Sequence, residues 1–188
     1  MPVISNTSPL GAPLPDASLP DADGASHSLH ALAGGRPLLL AFVCNHCPYV
    51  QHIEQPFGAL VAEYATRGVV TVGVVSNDIV NYPDDDVDGM REQMSRAGWD
   101  FPYLIDADQS LALTVGAVCT PDLFLYDASG SLYYRGAFDE SSPGNGLPLT
   151  GADLRAALEA VVTGAPAPEK QQPAMGCGIK WLEGNAPA

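Results

Sequence analysis

Cys44 and Cys47 are separated by Asn45 and His46, a spacing that lets two thiols pass a disulfide between them. A thiol attacks only as its thiolate, so such a site must lower a cysteine pKa. A helix N-terminus does this through its unpaired N–H groups and the positive end of its dipole. The apolar run Leu38 to Val43 ends at Cys44, and Val50, Ile53, Phe57, Leu60, Val61 and Tyr64 then recur at helical spacing. The pair is therefore expected where a buried strand gives way to a helix, with Cys44 at the helix start and Cys47 one turn on. Cys44 would then be the attacking thiol, and Cys47 would release the partner from the mixed disulfide. His46 would add a cation beside the thiolate, favouring the reduced form.

The same residues admit other chemistry. A lone Cys-x-x-Cys could be half of a zinc site completed by His46, His52, Cys119 or Cys177. No second cysteine pair follows at zinc-site spacing, so no metal is assigned. Cys119, two residues before Pro121, is either a third redox cysteine or a core thiol. Cys177 lies between Gly176 and Gly178 in a flexible tail. It could condense with a sulfenic acid as a resolving cysteine, or be incidental where Ile179 and Trp181 anchor the tail. His27, His30 and His52 read as surface or loop residues. Asp84, Asp85 and Asp86 lack EF-hand spacing and read as a solvated loop. Arg135 either holds an anion or pairs with an acid. No glycine-rich nucleotide loop appears, and no cofactor is implied.

The elements that must carry these residues are legible in order. Ser18 to Ser26 reads as a hairpin turning at Asp23-Gly24. Leu38 to Val43 and Val69 to Val75 are buried strands. Pro48 suits a first helical turn, and Pro56 should kink the helix between those strands. Helices follow over Val87 to Ala97, Gln109 to Val115 and Asp153 to Val162. A short strand spans Pro102 to Asp106, and a hairpin joins Leu123–Tyr126 to Leu132–Arg135. Alternating strands and helices followed by an antiparallel hairpin give an α/β fold, a mixed sheet with helices on both faces. The chain divides into an extended lead-in over 1–13, one domain over 14–164, and a Pro/Gly-rich tail over 165–188. Thr120-Pro121 stands just ahead of a core strand.

Of 188 residues, 46% are hydrophobic and 16% charged, which excludes a largely disordered chain. Acids outnumber bases 22 to 8, for a net charge of −14. Such a surface repels phosphate backbones, so nucleic acid is not expected as a partner. No apolar run is long enough to span a bilayer. The first residues lack a basic start and a continuous apolar segment, so the expected location is the cytoplasm. Four cysteines in a domain of this size do not read as a structural disulfide framework.

Phe42-Val43-Cys44-Asn45-His46-Cys47-Pro48-Tyr49-Val50 resembles the redoxin branch of the thioredoxin superfamily. That branch joins alkyl hydroperoxide reductase/thiol-specific antioxidant proteins with thioredoxin-like oxidoreductases, and the segment resembles a peroxiredoxin-like subgroup within it. Matching segments are the Leu19-Pro20-Asp21 to Gly24 hairpin, Gly116 to Asp122, Tyr134-Arg135-Gly136, Leu154 to Leu158, and Gly176-Cys177-Gly178-Ile179-Lys180-Trp181. The resemblance runs from about Leu14 to Trp181. It implies a thioredoxin fold with an N-terminal hairpin, Cys44 and Cys47 as redox cysteines, and Pro121 as a cis-proline. Thr120 and Pro121, with His46, would then meet the substrate.

The resemblance leaves the reaction open. The first reading is thiol–disulfide exchange with a protein partner or a reductant such as a thioredoxin or glutathione system. The second is a thiol-dependent peroxidase with Cys177 or Cys119 resolving. A third is a non-catalytic thioredoxin-like module that binds partners or a metal. Peroxiredoxins carry Pro-x-x-x-Thr/Ser-x-x-Cys. Here Leu40 stands four residues before Cys44, and Cys44 takes the hydroxyl's place relative to Cys47. That departure counts against efficient peroxidase activity. A homodimer is left open.

Overall fold

The computed structural model describes residues 2–6, 9–169 and 171–187. In chain order the elements are β1 (Val3–Ile4), β2 (Ser18–Pro20), β3 (Ser26–Ser28), α1 (Leu29–Ala33), β4 (Leu38–Phe42), α2 (Pro48–Ala65) and β5 (Val70–Val75). After them come α3 (Val87–Ala97), β6 (Tyr103–Ile105), α4 (Ser110–Val115), β7 (Cys119–Thr120), β8 (Asp122–Tyr126), β9 (Leu132–Gly136), α5 (Ala152–Thr163) and β10 (Met175–Gly178).

The central sheet has the order β6-β5-β4-β8-β9. β4 pairs parallel with β5 and antiparallel with β8. Every residue of β4 is buried, which explains its unbroken apolar run. Side chains on a strand alternate between faces, so β4 serves two cores. Leu39 and Ala41 point to a core shared with α2, α3 and α5, and Leu38, Leu40 and Phe42 to one shared with α1, α4 and β2. The mixed sheet flanked on both faces is the expected arrangement.

α2 runs 18 residues, so the connection from β4 to β5 crosses the sheet face and returns parallel. It buries Val50, Ile53, Phe57, Leu60, Val61 and Tyr64. Phe57 meets Trp99, Phe101 and Phe138 edge-on, and truncating such a ring to alanine costs about 3–5 kcal/mol. The helix continues past Pro56. One missing N–H there is outweighed by a buried face extending on both sides of it.

Pro48 sits in the first turn, where its missing N–H is one the helix would leave unpaired anyway. A proline also drives the residue before it to extended backbone, and Cys47, at φ −74° and ψ 119°, is that residue. The helix therefore starts one turn later than expected. Cys47 is its N-cap, and Cys44 lies in the loop before it.

The two ends of the chain hold strands the sequence did not announce. β10 pairs antiparallel with β7 on one side and β1 on the other. The lead-in and the tail are thus tied to each other and to the segment before Pro121. No helix is long and apolar enough to cross a membrane among the described residues.

Candidate active site

Three segments meet at the C-terminal end of β4: the loop carrying Cys44 to Cys47, the Thr120-Pro121 turn between β7 and β8, and β10. The Thr120–Pro121 peptide is cis. Thr120 meets both cysteines. Cys44 Sγ lies 3.4 Å from Thr120 Oγ1, and Cys47 Sγ lies 3.1 Å from the Thr120 carbonyl oxygen. Cys44 is 1% exposed and Cys47 0%. All four cysteines are free thiols.

The two thiols divide one proton unevenly. Cys47 is lowered to about 5, first by the hydrogen bond from Cys44, then in smaller measure by Cys177, Thr120 and the Val50 N–H. Burial opposes this. So does the Thr120 carbonyl, which accepts from the thiol form. Cys44 is raised well above the ordinary thiol value because it keeps the shared proton, with burial and the charge of Asp85 adding to the effect. The expectation that Cys44 is the nucleophile is not what these surroundings favour. The hydrogen bond between them favours the anion on Cys47, at the helix start, while Cys44 faces a carboxylate.

That carboxylate comes from the acidic loop. Asp85 is 0% exposed, so the reading of Asp84 to Asp86 as a uniformly solvated run fails at its middle residue. Pro83 to Asp85 wind into a 3₁₀ turn ahead of α3, whose N-cap is Asp86. Gly89 lets this turn close on the helix, since a Cβ there would lie 2.0 Å from the Asp84 carbonyl oxygen. Asp85 then faces inward. It accepts from His46 N at 3.0 Å, from Asn77 Nδ2 at 2.7 Å, and meets His46 Nδ1 at 2.5 Å. His46 is thereby fixed by ring and backbone, and its ring stacks on Tyr82 with centroids 6.0 Å apart.

Cys44, His46 and Asp85 place ligand atoms within 4.8 Å of one another, a set that could hold a metal ion. Here those atoms are engaged with each other, with Asn77 and with Thr120. The loop backbone is held from below. Gln93 donates to the Cys44 carbonyl at 3.1 Å, and the Tyr103 hydroxyl lies within hydrogen-bonding distance of the Val43 carbonyl and Gln93 Oε1. Asn45 donates to the Asp84 carbonyl and accepts from Arg96, which also grips Glu54.

The chain matches the Redoxin family over residues 9–152. It belongs to the redoxin family. Over 143 residues this redoxin is 30% identical to the thiol:disulfide interchange protein DsbE of Tatumella citrea, covering 73% of this chain and 70% of that one. A hypothetical protein of Sinorhizobium meliloti 1021 superposes with a TM-score of 0.93 at 42% identity, over 96% of this chain and 99% of the other. The thioredoxin domain of a thiol-disulfide oxidoreductase from Bacteroides vulgatus superposes with a TM-score of 0.64 at 18% identity, over 83% of this chain and 99% of that one. That likeness shows the thioredoxin fold.

In the redoxin, Cys44 and Cys47 meet Thr120, which precedes Pro121, and His46 lies near Cys44 with its ring turned to Asp85. Cys119 takes the core-thiol reading: it is 0% exposed, lies 3.7 Å from the Pro121 carbonyl oxygen, and burial raises its pKa. Arg135 takes the pairing reading, 3.1 Å from Asp122 Oδ2 with its guanidinium over the Phe124 ring. His27 pairs with Asp21, and His52 meets Ser141. Asp85, Asn77, Gln93 and Tyr103 escaped the sequence reading. Asn77 and Gln93 are single polar residues in polar segments, Tyr103 stands in the apolar strand β6, and only the folded loop distinguishes Asp85 from its two neighbours.

Proposed function

We propose that this redoxin is a thiol–disulfide oxidoreductase that cycles Cys44 and Cys47 between dithiol and disulfide. The observation that carries the reading is the convergence of Cys44 and Cys47 on one residue, Thr120, with Cys44 Sγ 3.4 Å from its hydroxyl and Cys47 Sγ 3.1 Å from its carbonyl oxygen; their mutual hydrogen bond lowers the Cys47 pKa and raises that of Cys44. At neutral pH Cys47 is ready to attack without a separate base. In the forward half-reaction the Cys47 thiolate attacks a disulfide sulfur of the partner and expels one partner thiolate. Cys44 then attacks Cys47 in the mixed disulfide, its proton passing to the second partner sulfur as that leaves. The partner ends as a dithiol and the enzyme as the Cys44–Cys47 disulfide. A dithiol reductant of the thioredoxin kind, or two equivalents of a monothiol such as glutathione, restores it by the reverse exchange.

A thiol peroxidase is the second reading, favoured by a thiolate with a third thiol, Cys177, against the same cluster of side chains. Thiol titration and disulfide mapping, before and after one equivalent of hydrogen peroxide and alongside Cys44→Ser and Cys47→Ser, separate the two. A Cys44–Cys47 bridge formed rapidly by disulfides and slowly by peroxide supports exchange. A fast sulfenic acid on Cys47 selects the peroxidase, and four unreactive thiols defeat both.

A further inference from the structure

The buried pair poses a problem of access. Exchange needs a sulfur of the partner to reach a sulfur of the enzyme in line, yet Cys44 and Cys47 are at most 1% exposed. Against them lies β10. Its Cys177 stands opposite Thr120 in the antiparallel register, and Gly178 stands opposite Cys119. Thr120 is also the residue that touches both buried sulfurs. Cys177 packs against the cluster that contains Cys44 and Cys47, and it alone of the four cysteines is part-exposed.

The strand is shaped for close approach at this point. A Cβ on Gly176 would lie 1.9 Å from the Thr120 carbonyl oxygen, so only glycine lets β10 lie flush on β7. Beyond Cys177 the tail is fastened by Ile179 N to the Val118 carbonyl at 3.1 Å and Lys180 N to Asn77 Oδ1 at 2.8 Å. Cys177 is thus a third thiol delivered to the pair by a dedicated strand.

We propose that Cys177 is the port of the redox centre, taking over the internal disulfide as a Cys47–Cys177 bridge and presenting it to an outside thiol. The proposal rests on the reading of Cys44 and Cys47 as a cycling pair. In the internal step the Cys177 sulfur attacks Cys47 Sγ, the Cys44–Cys47 bond breaks, and the proton from Cys177 ends on Cys44. One disulfide is exchanged for another with no net oxidation. An external thiolate then attacks Cys177, releasing Cys47 as its favoured thiolate, and a second external thiol reduces the mixed disulfide. Cys177 in the reduced protein is pushed up to about 12, first by burial and then by its hydrogen bond to Cys47; the second cause is lost once Cys47 is held in a disulfide, so the attacking thiolate forms more readily in the oxidised protein than in the reduced one.

Oxidised wild type, Cys177→Ala and Cys177→Ser are treated with reduced glutathione, and acid-quenched samples are alkylated and mapped. Reduction is expected about tenfold or more slower in both variants, because the surviving sulfurs are buried and meet an outside thiol only rarely, with glutathione found on Cys177 in the wild type. In Cys44→Ala, one equivalent of diamide is expected to produce a Cys47–Cys177 bridge within one chain. If β10 merely covers the pair, thinning it at Cys177 makes reduction equal or faster, and that result overturns the port. Glutathione on Cys44 or Cys47 in the wild type overturns it as well, as does a Cys44→Ala protein that links only between chains. If the Cys44–Cys47 disulfide forms in all three proteins with equal reduction rates, the port alone fails. If it never forms in the wild type, the exchange reading fails and takes the port with it.

Discussion

Cys44→Ala removes the hydrogen-bond donor that most lowers the Cys47 pKa, leaving the Thr120 contacts and the helix start in place. Hydrogen bonds to charged groups contribute about 1.5–3 kcal/mol, and about 1.4 kcal/mol corresponds to a tenfold change in proton affinity. Starting from about 5, the Cys47 midpoint should move to between about 6 and 7. At pH 6 the thiolate population falls from about nine tenths to between about a half and a tenth. Cys44→Ser keeps a hydroxyl donor at the same place and should shift it less.

The ultraviolet absorbance of the thiolate, followed against pH in reduced protein, reads this directly. Below pH 9 the signal belongs to one sulfur, since Cys44, Cys119 and Cys177 are all raised above the ordinary thiol value. Brief alkylation at pH 6 followed by peptide mapping identifies that sulfur, and Cys47 is the expected site. Labelling of Cys44 in the wild type would refute the assignment of the anion. An unmoved midpoint in Cys44→Ala would refute the assignment of its cause.

Between pH 6 and 8 the reduced pair should hold one proton, on Cys44, so reduction takes up one proton per two electrons. The potential should then fall by about 30 mV per pH unit; a slope near 60 mV would mean that both thiols are protonated. Asp85→Asn removes the charge that helps hold the Cys44 proton, so Cys44 alkylation at pH 9 should speed up several-fold. The loss of charged hydrogen bonds should also lower stability to denaturant by about 1–3 kcal/mol, and unchanged alkylation would remove Asp85 from the account of Cys44. Arg135→Leu strands Asp122, raised to about 6 chiefly by burial despite the arginine, and should cost about 3–5 kcal/mol at pH 7. A carboxyl whose folded pKa is raised contributes stability below its unfolded value and loses it as pH climbs through the folded one. Part of the Arg135→Leu loss should therefore return by pH 5, and a loss independent of pH would mean that Asp122 is not its source.

The parts of this redoxin that were legible in the sequence are those fixed by short-range pattern. β4 announces itself because both its faces are buried, and α2 because its apolar face repeats for five turns. α3 spans Val87–Ala97 as expected because Asp86 caps it and Gly98 ends it in left-handed backbone. Even the error at the start of α2 lay within local rules. Pro48 fixes the first helical residue, and that single position makes Cys47, not Cys44, the residue at the dipole.

β1 and β10 could not be read in the same way. They are two and four residues long, one of them half glycine, and neither has a face to repeat. Their stability comes from partners more than fifty residues away, as in the pairing of Cys177 with Thr120. Asp85 is hidden for a related reason: its role depends on Asn77 and His46 arriving from other segments. The site is thus made by two kinds of information. A local strand–turn–helix pattern places the cysteine pair, and long-range pairing decides what surrounds it. The electrostatic split between Cys44 and Cys47 belongs to the second kind. Asp85, far away in sequence, adds its charge against an anion on Cys44, so the Cys-x-x-Cys spacing by itself names the couple without naming its nucleophile.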